Sequence, residues 1–365
     1  MATPAPVSGA PAVSVIVPAR NEEDCIDSCL RSLASQTGVS FEILLVDDGS
    51  TDRTRVIAAS FPQVKIIDPG PPAAGWSGKN NAVAAGARAA QSEWLLFTDA
   101  DTVHLPGSLA RALAEARDRK ADLLSYSPEQ DVRTLAEKAV MPVIFAELAT
   151  TFRPTDVSDP QSPAAAANGQ YILIEREAYN AVGGHAAVAG SLLEDVALAR
   201  AVKQSGRAIF FRYGGDVVRT RMYRSFAQLV EGWTKNLALL FPNPTELAFR
   251  RVAEFVLLAA SFFLMIASFA RTGASNNSII LSVATAALWL WFFRRIRRAH
   301  FAWDATLLAP LGLPLFAYLL FRSNMKHKNG QVAWKGRIYA AGLADTSSKD
   351  TNASAVVKQN LRPVP

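Results

Sequence analysis

Two carboxylates stand two residues apart at the end of an apolar segment, in the stretch Leu95-Leu-Phe-Thr-Asp-Ala-Asp-Thr102. No basic residue close to Asp99 and Asp101 in the sequence neutralises them. Carboxylate oxygens are ligands that Mg²⁺ or Mn²⁺ prefers. A structural alternative exists, because small acids often form turns or cap helices, and a helix is predicted to start near Pro106. The other residues that lie near this pair in the fold decide between a metal site and a turn or helix cap.

The first 130 residues alternate short β-branched runs with helical patterns, which predicts an α/β domain with a mostly parallel sheet covered on both faces. The predicted strands are 13–17, 41–46, 64–67, 94–98 and 121–126, and the predicted helices are 21–36, 52–60, 78–91 and 106–119. Ligands of such sheets bind beyond the carboxyl ends of the strands. We therefore expect the residues that follow the first, second and fourth strands to share one site.

Polar residues collect at those strand ends. Pro18, Ala19 and Glu22 follow the first strand, and the acidic turn Asp47-Asp48 closes the second. The alternative for the acidic turn is to cap the helix predicted to begin near Asp52, with Ser50 or Thr51 as its N-cap, and the two functions can coexist. The sequence contains no Gly-x-Gly-x-x-Gly and no Walker loop, which disfavours a dinucleotide dehydrogenase and a P-loop NTPase.

Two further segments place charge at helix starts. Lys79 lies in the loop 75–80, whose backbone amides and helix N-terminus favour a phosphate or a base. Glu194 and Asp195 precede a predicted helix over 195–204, and its dipole favours an ionised Asp195 that can accept a proton at neutral pH. The structural alternative is that both acids only start the helix.

The last third of the chain is apolar and basic. Its apolar runs are 252–270, 278–293 and 305–321, each close to the roughly 20 residues that span a bilayer. Residues 250–337 hold 12 Lys and Arg residues and 2 acidic ones, so their net +10 leaves −4 elsewhere in a chain of net +6. A hairpin of the first two runs, with arginines at both cytosolic ends, satisfies the positive-inside rule. The alternative is a set of buried helices in a large soluble protein.

Those arginines border apolar runs and have no interleaved aromatic residues, which disfavours nucleic-acid binding. The third run contains Pro310, Gly312 and Pro314, and we expect a re-entrant or interfacial pair of short helices that returns the tail to the cytosol. Residues 137–153 predict either an interfacial helix or a core helix, and 154–167 a loop.

The two ends of the chain and its cysteines add little chemistry. Residues 1–12 lack the basic region and the apolar core of a signal peptide, so we expect a flexible tail and a cytosolic first domain. Cys25 and Cys29 are four apart on one predicted helix and are expected to be reduced thiols. The end of the chain, 344–365, is polar, and we expect it to be disordered.

The ordered set of motifs resembles the family 2 glycosyltransferases of GT-A fold over roughly residues 13–340. The motifs are Val13-Ser-Val-Ile-Val-Pro-Ala-Arg-Asn-Glu22, Asp47-Asp-Gly-Ser-Thr-Asp52, Asp99-Ala-Asp101 and Glu194-Asp-Val196. Three further segments resemble membrane-anchored members associated with carotenoid and hopanoid lipids, namely Gly184-His185, Gly232-Trp-Thr-Lys-Asn236 and Trp334-Lys-Gly-Arg337.

The resemblance implies an inverting glycosyltransferase that moves a hexose from a nucleotide-diphosphate donor, expected to be a UDP-sugar, to a lipid acceptor. The domains expected are a catalytic domain over 13–245, a membrane region over 246–322 and a basic cytosolic tail over 323–365. The enzyme is then a multi-pass protein of the cell membrane with its catalytic domain in the cytoplasm. Alternatives are a processive polysaccharide synthase, which normally needs more spanning helices, and a silent sugar-nucleotide-binding scaffold.

The resemblance also implies functions for the candidate residues. Asp99 and Asp101 would hold Mg²⁺ or Mn²⁺ against the donor diphosphate, since the acids alone would repel it. Asp48 would contact the base and ribose, with Pro18, Ala19, Glu22, Lys79 and Asp99 also on the nucleotide-sugar side. Asp195 would be the general base for the acceptor.

Acceptor or diphosphate contacts are assigned to Gln228, Trp233, Lys235, Trp334 and Arg337. Processive synthases carry Gln-x-x-Arg-Trp here, whereas this chain has Gln-Leu-Val-Glu-Gly-Trp from Gln228 to Trp233, which argues against polymer synthesis. Trp233 either stacks on a substrate or anchors a helix at the membrane interface. His185 is expected to have a structural or acceptor-loop function rather than to bind a metal.

Overall fold

A computed structural model describes residues 10–334 and 337–339, with side chains for residues 10–331. Within these residues, seven strands form a sheet in the order β3-β2-β1-β4-β8-β6-β9. They are β1 (Val13–Ala19), β2 (Phe41–Asp47), β3 (Val64–Ile67), β4 (Trp94–Phe97), β6 (Leu123–Ser127), β8 (Ile172–Glu175) and β9 (Ile209–Tyr213). The five strands predicted from the sequence are confirmed, with boundary shifts of at most two residues.

The sheet is parallel except at β8, which runs antiparallel to both β4 and β6. The strands predicted from the sequence end at residue 126. β8 lies later in the chain and inserts between β4 and β6, so it was not among them. A second sheet is formed by β5 (Thr102–His104), β10 (Val218–Thr220) and β7 (Glu129–Gln130). Strands β11 (Val332–Trp334) and β12 (Arg337–Tyr339) form a hairpin.

The central sheet is covered on both faces, as the nearly continuous apolar strands predict. One face, which carries Val13, Val15 and Val17, packs against α1 (Ile26–Ala34) and α4 (Ser108–Asp118). The other face, which carries Ile16, packs against α3 (Gly78–Ala89), α7 (Arg176–Ala181) and α9 (Glu194–Gln204). The remaining short helices are α2 (Thr54–Ala59), α6 (Pro154–Ser158) and α8 (Gly184–Ala187). α6 lies in the segment that we predicted to be a loop.

Three long apolar helices follow α10 (Phe226–Leu240): α11 (Pro244–Thr272), α12 (Asn276–Ile296) and α13 (Trp303–Lys328). All three have the length and composition to cross a membrane. α11 and α12 expose most of their apolar side chains, including Phe263 and Val283. More than half of α13 is instead buried in the protein. This pattern fits a lipid-exposed hairpin beside a helix that packs on the catalytic domain.

The prediction of two short helices in the third apolar run is wrong, because α13 is one continuous helix through Pro310 and Pro314. An internal proline costs about 3 kcal/mol of helix stability. Here the helix packs along α5 (Leu135–Thr151), and Gly312 lies directly on the backbone of Ala139 and Val140. This packing offsets the cost of the prolines.

α5 matches the core-helix alternative on one face, where Val140, Val143 and Ile144 are buried. Thr134 and Glu137 form a reciprocal capping box at its start, which satisfies free backbone donors of the first turn. Pro142 lies inside the helix. The other face of α5, with Phe145 and Leu148, packs only at the edge of this core and borders the cleft described below.

Replacement of Gly312 by alanine tests the contact between α13 and α5. The added Cβ would collide with the carbonyl of Ala139 and lie 2.9 Å from the Cα atom of Val140. We expect Gly312→Ala to lower the free energy of unfolding by about 1–3 kcal/mol, as overpacking does. The neighbouring Leu311→Ala, at a side chain 65% exposed, is the control and should change it by less than about 0.5 kcal/mol. Thermal unfolding in detergent measures both, and equal stability of the two variants would contradict the contact.

Candidate active site

A cavity of about 810 Å³ opens at the carboxyl ends of β1, β2 and β4. It is bordered by the polar ends of these strands, the start of α9 and one face of α10. The predicted residues that line it are Pro18, Ala19, Glu22, Asp48, Lys79, Asp99, Asp101, Asp195, Gln228, Trp233 and Lys235. Trp334 and Arg337 lie in β11 and β12, and their side chains are outside the described part of the chain.

The two acids that close β2 have different environments. Asp47 is buried, accepts a hydrogen bond from the Ser50 amide at 3.0 Å and pairs with Arg55 at 3.2 Å. Asp48 lines the cleft, where Arg20 Nη1 lies 3.7 Å from its carboxylate and donates to its carbonyl at 2.8 Å. Asp48 is thus the residue of this turn that a ligand can reach. Arg20, which the sequence motifs did not single out, lies in the same cleft.

The predicted N-cap for the following helix, Ser50 or Thr51, is wrong. α2 begins at Thr54, and Asp52 accepts a hydrogen bond from the Thr54 amide at 2.9 Å. The turn is longer than predicted because Ser50 and Thr51 both pair with the loop after β1, where Asn21 and its neighbours approach them. These contacts fix the β1 and β2 ends to each other.

Lys79 connects the acids of two distant segments. Its ammonium lies 2.8 Å from Asp99 Oδ1 and 2.7 Å from Glu194 Oε1. Burial disfavours the ammonium charge, but the carboxylates of Asp99 and Glu194 outweigh it and raise the pKa of Lys79 well above its usual value. Burial likewise opposes ionisation of Glu194, yet the charge of Lys79 lowers the Glu194 pKa. Lys79 therefore stays charged and holds the β4 end to the start of α9.

Asp195 is held by backbone amides. Gly169 donates to Asp195 Oδ2 at 3.0 Å, and Val196 donates to Oδ1 at 2.8 Å. Burial, together with the charge of Glu194, raises the pKa of Asp195 to about 6. The helix dipole was expected to favour the ionised form, but α9 begins one residue earlier, at Glu194, whose charge adjoins Asp195. A pKa of about 6 still leaves Asp195 mostly ionised at neutral pH.

Gly169 is a site residue that the motifs missed. A Cβ atom there would lie 3.3 Å from Lys79 Nζ and 3.5 Å from Asp195 Oδ2, so a side chain would crowd both groups. Its local sequence, Asn168-Gly-Gln170, carries no recognisable signal, and only the return of β8 into the sheet brings it beside α9.

The α10 residues differ in what they offer the cleft. The indole of Trp233 is 2% exposed and donates to Met141 Sδ at 3.2 Å, so it packs in the core and matches neither a stacking platform nor an interface anchor. Gln228 accepts a hydrogen bond from the Arg224 amide at 2.8 Å at the start of the helix. Lys235 lines the cleft with a pKa lowered by burial.

His185 has a structural environment, as expected, with its Nδ1 3.0 Å from the Tyr179 hydroxyl and its ring against Phe97. Cys25 and Cys29 are buried thiols that form no disulfide, in agreement with the prediction of reduced thiols. In residues 10–331, no cluster of three or more His, Cys, Asp or Glu side chains could hold a metal ion. A cation held by Asp99 and Asp101 would need further ligands, and Mg²⁺ commonly takes them from substrate phosphates and water.

Comparison with protein families matches residues 14–180 to "Glycosyl transferase family 2". Residues 14–180 therefore form a family 2 glycosyltransferase domain. The glycosyltransferase is 27% identical over 338 residues to a 4,4'-diaponeurosporenoate glycosyltransferase of Staphylococcus aureus strain MRSA252, covering 90% of this chain and 88% of the relative. The same enzyme of strain USA300 is 26% identical over 337 residues, with the same coverage of both chains.

The fold of the glycosyltransferase is similar to that of a solved mannosyltransferase, PcManGT of Pyrobaculum calidifontis, in complex with GDP-Man and Mn²⁺. The TM-score is 0.51 at 18% identity, and the match covers 87% of each chain. The predicted GT-A fold with apolar C-terminal helices is thereby confirmed.

Removal of the Lys79 charge should destabilise the fold in a pH-dependent way. Lys79→Met leaves Glu194 and Asp195 without the nearby cation, which raises the folded-state pKa of both acids above their unfolded values. The loss should be about 1–3 kcal/mol at pH 8, below the 3–5 kcal/mol of a fully buried pair because the Lys79 side chain is 36% exposed. It should shrink as the pH falls and the acids take up protons.

Unfolding of the glycosyltransferase in detergent between pH 5 and pH 8 measures this effect. The exposed Lys65→Met serves as the control, and its stability should follow the wild-type curve. A loss for Lys79→Met that is independent of pH would contradict the shared-cation arrangement.

Proposed function

We propose that the glycosyltransferase moves a hexose from a UDP-sugar to a hydroxyl or carboxyl of a lipid acceptor, with inversion, at the cytosolic face of the cell membrane. The observation that carries this proposal is a single cleft that brings together Asp48, Lys79, the Asp99–Asp101 pair and Asp195. Each comes from a different element of the fold, and together they offer the contacts that a sugar nucleotide and an attacking acceptor need.

The donor side of the cleft is formed by the ends of β1 and β2. Asp48 lines the cleft beside Arg20 and is the proposed acceptor of hydrogen bonds from the base or ribose, whereas Asp47 pairs with Ser50 and Arg55. The backbone of Pro18 and Ala19 borders the same space. PcManGT, which shares the fold, was solved with a nucleotide sugar and Mn²⁺.

Asp99 and Asp101 would hold Mg²⁺ or Mn²⁺, which as a Lewis acid offsets the charge that develops on the departing diphosphate. The residues fit a cation, because Asp99 already takes the Lys79 ammonium at 2.8 Å and both acids supply hard oxygen ligands. Lys79 and Lys235 provide further positive charge on the same side.

Asp195 is the proposed general base, which removes the proton of an acceptor hydroxyl or carboxylic acid as the acceptor attacks the anomeric carbon. Two backbone amides fix its carboxylate, and its raised pKa of about 6 strengthens it as a base while leaving it ionised at neutral pH. Glu194 pairs with Lys79, which leaves Asp195 as the neighbouring carboxylate that can accept the proton. With no second carboxylate assigned as a nucleophile, the arrangement supports a single displacement and hence inversion.

The membrane face and the lipid acceptor are supported by the hairpin of α11 and α12. Its apolar helices are exposed, and arginines stand at the start of α11 and at the end of α12. The Staphylococcus relatives are named for 4,4'-diaponeurosporenoate, a carboxylate by the ending of its name. An apolar acceptor with an acidic or hydroxyl head is consistent with both observations.

Release of UDP from UDP-glucose, with and without Mn²⁺ and a membrane lipid extract, tests the proposed function. Wild-type protein should release UDP only with the metal and should label a lipid, and Asp99→Ala or Asp101→Ala should abolish both. Tight UDP binding without turnover in any condition would instead indicate a sugar-nucleotide-binding scaffold. Growth of a long soluble glycan would indicate a polysaccharide synthase.

A matched pair of variants tests the base-contacting residue. Asp48→Asn should weaken Mn²⁺-dependent UDP binding about tenfold or more, because hydrogen bonds to charged groups contribute about 1.5–3 kcal/mol. Asp47→Asn keeps an acceptor for the Ser50 amide and should change the affinity by less than about threefold. Isothermal titration measures both, and equal losses would refute the assignment of Asp48.

The pH profile tests Asp195. Transfer to lipid should fall about tenfold per pH unit below pH 6, because protonation at a pKa of about 6 removes the base. Asp195→Asn should lower the rate by about 10²–10⁴ and lose this acid limb. Initial rates between pH 5 and pH 8 measure both variants. A rate that stays flat down to pH 5 in the wild type would exclude Asp195 as the base.

A further inference from the structure

One wall of the cleft is apolar and takes no part in the proposed donor site. Phe145, Leu148 and Ala149 lie on one face of α5 at helical spacing, and Phe152 is the residue that directly follows the helix on that side. All four line the cavity. We call these four residues the α5 stripe.

The α5 stripe packs only in part against the core, where Phe145 and Leu148 lie at the edge of the helical cluster. The opposite face, with Val140, Val143 and Ile144, is already buried against the helices that follow. The members of the stripe are only half-buried. Apolar surface left open to water forgoes the stabilisation of burial, which an apolar ligand would recover.

Other apolar side chains line the cavity together with the stripe. Leu240 at the end of α10, Phe211 on β9 and Leu192 before α9 line the same space. Phe152 packs in the cluster that contains Ala166 and Ala167, directly before the Gly169 backbone that holds Asp195. One end of the stripe is therefore next to the proposed general base.

The flank of the stripe adjoins the start of the membrane hairpin. Glu147, within the same turns of α5, lies 3.6 Å from Arg251 of α11 and 3.9 Å from Arg295 of α12. Leu240 precedes the first residue of α11 by only four positions. The cavity wall formed by the α5 stripe therefore lies between the base of the hairpin and the residues next to Asp195.

We propose that the α5 stripe binds the apolar chain of the acceptor next to its reactive head group. This inference rests on the proposed function and assigns the acceptor side of the same cleft. From Phe145 to Phe152 the stripe is about 10 Å long at 1.5 Å per residue. It contacts only the first carbons behind the hydroxyl or carboxyl, and the rest of the chain remains in the bilayer. The acceptor is therefore an amphiphile whose head group is followed directly by an apolar chain.

Leu148→Asn tests the stripe, because it places an amide at its centre without a change of backbone. The matched control is Leu135→Asn at the start of the same helix, where the side chain is 75% exposed and lies outside the cavity. In detergent micelles, Leu148→Asn should raise the KM for extracted lipid acceptor about tenfold or more, as expected for loss of a buried leucine contact. The rate of Mn²⁺-dependent hydrolysis of UDP-glucose, in which water takes the place of the lipid acceptor, should stay within about twofold of the wild-type rate for both variants.

Photo-crosslinking provides a measurement that needs no turnover. A C16 fatty acid with a diazirine close to its carboxyl end should label the peptide that contains residues 145–152. The labelling should fall in Leu148→Asn and be unchanged in Leu135→Asn. Labels confined to α11 and α12, or equal losses of hydrolysis and lipid transfer in Leu148→Asn, would overturn the proposal. A wild type that labels at the stripe but never releases UDP would refute the proposed function and leave the apolar site standing.

Discussion

The active cleft depends on one cation shared between carboxylates. Asp99, Glu194 and Asp195 meet in one cleft, where unscreened negative charges would repel one another strongly. Lys79 lies within 2.8 Å of the first and 2.7 Å of the second. The β4 end and the α9 start can therefore lie side by side only because the first turn of α3 brings an ammonium between them.

This arrangement separates the functions of two adjacent acids. Glu194 is used by the ion pair with Lys79, whose charge lowers its pKa. Asp195 accepts backbone amides instead, and burial raises its pKa to about 6. Two carboxylates that are neighbours in the chain thus have opposite pKa shifts, which is the condition for one to act structurally and the other as a base.

The catalytic domain and the apolar hairpin are connected through charges at the base of the hairpin. Arg251 and Arg295 both pair with Glu254, at 2.6 and 2.8 Å, and both approach Glu147 of α5. Two positive and two negative side chains balance, so the cluster carries no net charge where solvent is scarce. The close approach of Gly312 to α5 adds a second connection. α5 is consequently held from two sides while its third side faces the cleft.

The sequence by itself determined the local features: the alternation of strands and helices, the polar residues at strand ends, and the apolar length of the C-terminal helices. These follow from hydrophobic periodicity, which each segment carries within itself. Only the tertiary structure decided the partners. The return of β8 placed Gly169 on Asp195, the core enclosed the ring of Trp233, and packing on α5 kept α13 a single helix through two prolines. Each of these depends on contacts between segments far apart in the chain. The free energy of those contacts exceeds the local conformational preference, and no single stretch of residues determines it.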